Sequence, residues 1–212
     1  MIITVLGATG MAGSAITAEA AHRGHLVRAV SRRGGAPGYE GVTPVRADLH
    51  DTDAVTDALE DAAAAVLAVR LPPGEEHGIA SLTHGVLEIA GRLGTRLVVI
   101  GGAGALWSPD QPGTPLVDDS RYVPPQWRDV AMASLEQYRV CTHHPDADWV
   151  YVSPSAVFEA GDATPTYRRG TNTLLTAPDG SSHLTSGTMA MAVLEEIEQP
   201  GRARHITVID VG

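Results

Sequence analysis

The stretch "IITVLGATGMAGSAITAEAAHRGH" at the N-terminus constrains the fold more than any other part of this chain. A short apolar run, Ile2 to Gly7, ends in glycine, as a buried parallel strand does. Gly7, Gly10 and Gly13 follow the spacing G-x-x-G-x-x-G, and Ala and Ile then recur at helical spacing up to Gly24. In a strand–turn–helix unit of this kind the first glycine permits the tight bend and the second lets backbone approach a pyrophosphate. The third lets the helix pack closely on the strand. Backbone N–H groups of Thr9 to Met11 are then expected to face phosphates from the helix N-terminus, where the macrodipole favours an anion. Glycine spacing alone is a weak signal; lodged between a strand and a helix, it reads as a dinucleotide site.

The alternation continues along the chain. Apolar strand-like runs recur at Leu26–Val30, "TPVRADL", Ala63–Val69, Arg96–Gly102, "DWVYVSP" and "RHITVID". Between them lie helical patterns: "DTDAVTDALED", which Asp51 or Thr52 can cap, "HGIASLTHGVLEIAGRLG", "WRDVAMASLEQYRVCTHH" and "SGTMAMAVLEEIEQ". The expected architecture is α/β: a Rossmann-type doubly wound parallel sheet of order 3-2-1-4-5-6, in a single domain over residues 1–212. Two irregular segments, 103–125 and 154–184, follow the fifth and sixth strands and so fall at the carboxyl edge, where such sheets bind ligands. In the second, "PDG" reads as a turn between two short strands. That gives either a small C-terminal substrate-capping region or a hairpin with no part in binding.

Composition removes several function classes. A formal charge of -10 lacks the positive footprint of a nucleic-acid binder. No apolar run approaches the ~20 residues of a membrane span, and no basic-then-apolar leader is visible, so a cytoplasmic protein without a membrane partner is expected. The single cysteine, Cys141, excludes an intramolecular disulfide and reads as core. His143 and His144 are adjacent with no third ligand in view, so no metal site is expected. The chain contains no lysine; all 15 basic residues are Arg, and neither a Schiff base nor a Tyr-Lys pair can form.

The end of the second strand selects among dinucleotides. An NAD site places an acid there to hold the ribose 2′-OH. This chain has "AVSRR" instead. Arg32 can pair with a 2′-phosphate through charge-assisted hydrogen bonds, Ser31 can add a donor, and Arg33 can stack on adenine or add field. The expected cofactor is NADP(H); the competing reading leaves both arginines solvated in a loop. Asp48 is placed to bind the adenine amino group, or to cap the following helix, with Leu49 packing on the ring. Val69 and Arg70 pass the adenosine ribose at the end of the fourth strand. Gly101 and Gly102 are expected to admit the nicotinamide, and the backbone from Ser153 to Val157 to line its other side.

These residues resemble the atypical short-chain dehydrogenase/reductases of the NAD(P)H-binding, NmrA-like branch. The resemblance rests on "GATGMAG", "SRR", "ADLHD", "LVVIGGAGAL", "WVYVSPSAVFEAG" and "YRRGTNTLLTAPDGSSHLT", and spans nearly the whole chain. It implies a Rossmann sheet with a small C-terminal substrate region, in a group that includes flavin, biliverdin and quinone reductases and redox sensors without turnover. The classical Tyr-x-x-x-Lys pair is absent, and the classical Ser position falls in Gly101–Ala105, which has no hydroxyl. Where related flavin and biliverdin reductases carry a Ser and a His, this chain has Ala103 and either Ser155 or Ala156.

Side chains left for chemistry are Ser155 and Tyr122, with His77 read as a first-turn surface residue. Leu106, Trp107, Tyr122, Trp127 and Phe158 are expected to wall a flat, mostly apolar small-molecule substrate. The function implied is NADPH-dependent hydride transfer to a flavin, quinone or enone without a Tyr-Lys pair. A non-catalytic NADP(H) sensor, or an isomerase or cyclase on the same fold, are the alternatives.

Overall fold

The computed structural model describes residues 1–36 and 38–211. From the N-terminus, β1 (Ile2–Leu6), α1 (Met11–His22) and β2 (Leu26–Ser31) form the first unit. β3 (Val42–Arg46), α2 (Thr52–Leu59), β4 (Ala64–Leu67), α3 (Gly78–Leu93) and β5 (Arg96–Ile100) follow. After a loop with three short 3₁₀ turns come α4 (Arg128–Thr142) and β6 (Trp149–Ser153). The C-terminal part comprises β7 (Val157–Glu159), β8 (Tyr167–Gly170), β9 (His183–Thr185), α5 (Ser186–Glu198) and β10 (His205–Asp210). No helix of the described residues is long and apolar enough to cross a membrane.

The main sheet has the order β3-β2-β1-β4-β5-β6-β10-β8. Its first six strands take the expected order 3-2-1-4-5-6 and are parallel throughout. β1, β4, β5 and β6 are almost entirely buried, so they read as continuous apolar runs rather than alternating ones. β3 lies at the edge and is mostly exposed, which is where Pro44, lacking a donor, is tolerated. One core, centred on Ile3, Val5, Val98, Val150 and Val152, packs against α1 and α5. A second, with Leu6, Leu67, Leu97, Val99 and Tyr151, packs against α2, α3 and α4.

Helix ends follow local chemistry. Asp51 caps α2 by accepting from the Asp53 and Ala54 amides, and the Thr185 hydroxyl accepts from Thr188 N at the start of α5. α3 ends at Gly94 in the left-handed region, as helix C-termini commonly do.

The expected hairpin around "PDG" does not form. The turn itself is present, with Ala177 N donating to Ser181 O and Gly180 N to Ala177 O. The strands on either side part company: β8 pairs antiparallel with β10, while β9 pairs parallel with β7. Residues 167–170 therefore extend the main sheet, and the free edge of β10 outcompetes the local turn for their backbone bonds.

Candidate functional site

The glycine turn closes on its own backbone. Gly7 has φ +91°, and a Cβ there would stand 2.4 Å from Ala68 O. A Cβ on Gly13 would stand 2.1 Å from Gly7 O, so α1 reaches β1 only because position 13 has no side chain. Gly10 differs: its extended backbone suits any residue, and a Cβ would meet nothing nearer than Gly7 O at 3.4 Å. Protein packing demands glycine at 7 and 13, whereas position 10 is kept clear on the open side of the turn.

The donors above that turn are divided. Gly7 N and Ala8 N donate to Val30 O, and Gly10 N donates to Gly7 O, which removes Gly10 from the expected phosphate donors. Among the described residues, the amides of Thr9 and Met11 have no such partner. The N-terminus of α1 carries neither a capping side chain nor an acid in its first turn, in contrast to α2. Unsatisfied N–H groups at an uncapped helix start favour an anion, and a dinucleotide pyrophosphate fits this cradle.

The bonds to Val30 O also tie the turn to the end of β2, where Arg32 and Arg33 follow, both exposed and without an ion pair among the described residues. The loop they begin lies against the turn, since a Cβ on Gly35 would be 3.9 Å from the Thr9 side chain. The Ser31 hydroxyl donates to Gly35 O at 3.1 Å; it shapes this loop and offers a ligand only its lone pairs. Asp48 is exposed, accepting from His50 N, and the capping role at α2 belongs to Asp51. Leu49 is half-buried against the second core, and Val69 packs over Gly7. Arg70 holds its guanidinium 5.7 Å from the Trp127 ring centre, which joins the end of β4 to the start of α4.

Three expectations at the other end of the site are corrected. Gly101 and Gly102 are not kept bare for a nicotinamide: a Cβ at 101 would fall 1.9 Å from the Tyr151 ring, and one at 102 would be 2.9 Å from Ser134. Ser153 is fully buried, donating to Gly102 O at 3.0 Å with His205 Nε2 at 2.9 Å, so it braces the end of β5 from below. Ser155 is also buried and spends its proton on Val208 O at 2.9 Å, which removes it as a proton donor.

Tyr122 fares little better as an acid. Its hydroxyl donates to Asp110 at 2.7 Å, and that carboxylate, with burial adding to it, raises the phenol above its ordinary value. His77 is exposed at the start of α3 with no capping bond, as a surface residue is.

The five expected wall residues do not form one surface. Leu106 is buried in a third, small cluster with Leu116, Val117, Val123, Ala131 and Leu174, and Tyr122 packs against it. Phe158 packs instead on the α5 side of the sheet. Trp107 and Trp127 are 42% and 51% exposed. Segments 103–125 and 154–184 do meet, as their places after β5 and β6 imply: Trp107 N donates to Asn172 O, and Leu174 N to Trp107 O.

Sequence reading missed a group made of the buried Trp149, Tyr151 and His205 with the half-buried Tyr138. Tyr138 lies 4.4 Å from His205 and 5.2 Å from Tyr151, centre to centre. Burial alone pushes His205 down to about 4, and its Nδ1 has no partner among the described residues. Only the period of two in "WVY" hinted that Trp149 and Tyr151 share a face. Cys141 lies in this region, fully buried as expected, its thiol pushed up to about 12 by burial.

A family model described as NAD(P)H-binding matches residues 7–206, from the glycine turn to the last strand. The chain belongs to the NAD(P)H-binding family. The atypical short-chain dehydrogenase/reductase resemblance agrees with this membership. YwnB of Bacillus subtilis, uncharacterised, is 30% identical over 202 residues, covering 94% of this chain and 93% of its own. A solved Burkholderia pseudomallei structure, provisionally named an exported protein, is 33% identical with TM-score 0.88, covering 99% of this chain and 100% of that one. A Streptococcus pneumoniae structure, provisionally named an NADH-flavin reductase, is 25% identical with TM-score 0.89, and each chain is covered in full.

Proposed function

We propose that this member of the NAD(P)H-binding family is an NADPH-dependent oxidoreductase that reduces a flat conjugated acceptor: a flavin, a quinone or an enone. The observation that carries the reading is the pair Arg32–Arg33, exposed and, among the described residues, without an ion pair beside the uncapped glycine turn, where an acid would serve NAD. Thr9 and Met11 amides hold the pyrophosphate, Arg32 the 2′-phosphate, and Asp48 the adenine amino group. The bound nicotinamide supplies hydride chemistry. The protein's part is to orient the cofactor, because neither candidate acid is free: Ser155 donates to Val208 O and Tyr122 to Asp110. A flavin or quinone takes its proton from water and tolerates such a site, whereas a simple ketone forfeits roughly 10²–10⁴-fold in rate without an acid. The name of the Streptococcus relative supports a flavin acceptor.

The test follows the loss of reduced-nicotinamide absorbance with flavins, quinones, enones and a simple ketone, alongside calorimetry with both cofactors. Expected are tighter binding of NADPH than NADH and turnover with at least one conjugated acceptor, the ketone remaining inert. Tight binding with no oxidation of any acceptor overturns the enzyme reading in favour of an NADPH sensor.

A further inference from the structure

His84 and Glu88 stand one helical turn apart on α3, a spacing that places two side chains on the same face. His144 follows the C-terminus of α4 and meets them there. His84 Nδ1 lies 2.8 Å from His144 Nε2, and Glu88 Oε1 lies 3.6 Å from His144 Nδ1. One ligand atom from each of the three falls within 4.8 Å of the others. The absence of a third ligand argued against a metal at His143–His144; the fold supplies two, from sixty residues away.

We propose that His84, Glu88 and His144 bind a divalent transition-metal ion of the zinc class. Two imidazoles and a carboxylate suit Zn²⁺, Cu²⁺ or Ni²⁺; Mg²⁺ and Ca²⁺ prefer all-oxygen shells. His84 Nδ1 and His144 Nε2 face each other across 2.8 Å, so an ion that displaces the hydrogen between them is held by one nitrogen of each ring. Tetrahedral zinc holds its nitrogens about 3.3 Å apart, so the rings part by roughly half an ångström to admit it. Glu88 is exposed and stands beside the other His144 nitrogen, Nδ1, so its carboxylate turns toward the Nε2 side to share the ion, while the His144 backbone is pinned: its amide donates to Cys141 O, and its carbonyl accepts from Trp149 Nε1.

Water completes the shell from the exposed side. The site sits at the amino end of β6, across the sheet from the glycine turn, so the ion staples α3 to the end of α4 and takes no part in cofactor binding.

Zinc chloride titrated into the untagged chain, against a competing chromophoric indicator, tests this directly. Expected is one Zn²⁺ per chain. His84→Ala and His144→Ala each weaken it at least tenfold, Glu88→Gln weakens it less, and His22→Ala, an exposed histidine elsewhere, has no effect. Zinc should also raise the Tm of the wild type and not of His84→Ala, and both should bind NADP(H) equally. Zinc binding that is absent, or indifferent to both histidine variants, overturns the site. Full retention in Glu88→Gln overturns the three-ligand assignment.

Discussion

Arg32 lies two residues beyond Val30, whose carbonyl holds the first two amides of the glycine turn. Removing it tests the cofactor preference at the side chain proposed to read the 2′-phosphate. Arg32→Ala should weaken NADP(H) by about 1.5–3 kcal/mol, the scale of hydrogen bonds to charged groups, and leave NAD(H) nearly unchanged by calorimetry. Equal losses for both cofactors would show that Arg32 does not discriminate between them. His205 makes a different prediction. Burial sets its native pKa near 4, against 6.5 ordinarily. Above pH 6.5 the imidazole is neutral in both states; between 6.5 and 4 only the unfolded chain takes up the proton. Stability should therefore fall on acidification through that window, by roughly 3 kcal/mol in all. His205→Gln retains an amide donor for Ser153 without titrating, and its denaturant midpoint should change less from pH 7 to pH 5. An unaltered pH slope in the variant would assign the effect elsewhere.

At the scale of elements, substitutions in the glycine turn should separate folding from the proposed cofactor binding. Gly13→Ala drives a methyl into Gly7 O and should cost 1–3 kcal/mol or more, as overpacking does. Gly10→Ala meets no such obstacle and should change stability by under about 0.5 kcal/mol, yet lose most of its affinity for either cofactor. If Gly10→Ala binds normally, the open side of the turn is not where the pyrophosphate lies. The packing roles of Gly7 and Gly13 were legible in the sequence because strand, turn and helix are contiguous, and the same holds for β1 to β6. Gly101 and Gly102 were not legible: the atoms that require them bare, on Tyr151 and Ser134, come from β6 and α4. β8 was misread for a related reason, since its partner β10 lies beyond α5 and a local turn says nothing about a distant sheet edge.

Across the whole molecule, two large cores clasp the sheet, and a third, smaller one gathers the loops over its carboxyl edge. That third cluster is organised around a charge. Asp119, buried, accepts from Arg121 Nη2 at 2.8 Å and from the Ser108 hydroxyl at 2.7 Å, while its other oxygen takes Arg121 N and Nε. The Arg121 hydrogen bonds first, and Ser108 second, hold this carboxyl far below the usual carboxylate range. A group whose pKa is depressed on folding stabilises above its ordinary value, so this contribution is full at neutral pH and fades only in strong acid. Asp119→Asn gives up one charged acceptor and places an amide against Arg121. Because the side-chain partners of Asp119, Ser108 and Arg121, both lie within the segment, 108–122 should open locally while the sheet stays folded. Limited proteolysis should then cleave within 108–122 much faster than in the wild type, with Tm within a few degrees and NADPH affinity preserved. If the segment walls the acceptor, KM for that acceptor rises while kcat holds. A Tm that collapses together with the protease resistance would mean that the loop cluster and the sheet unfold as one unit, with Asp119 supporting the whole fold.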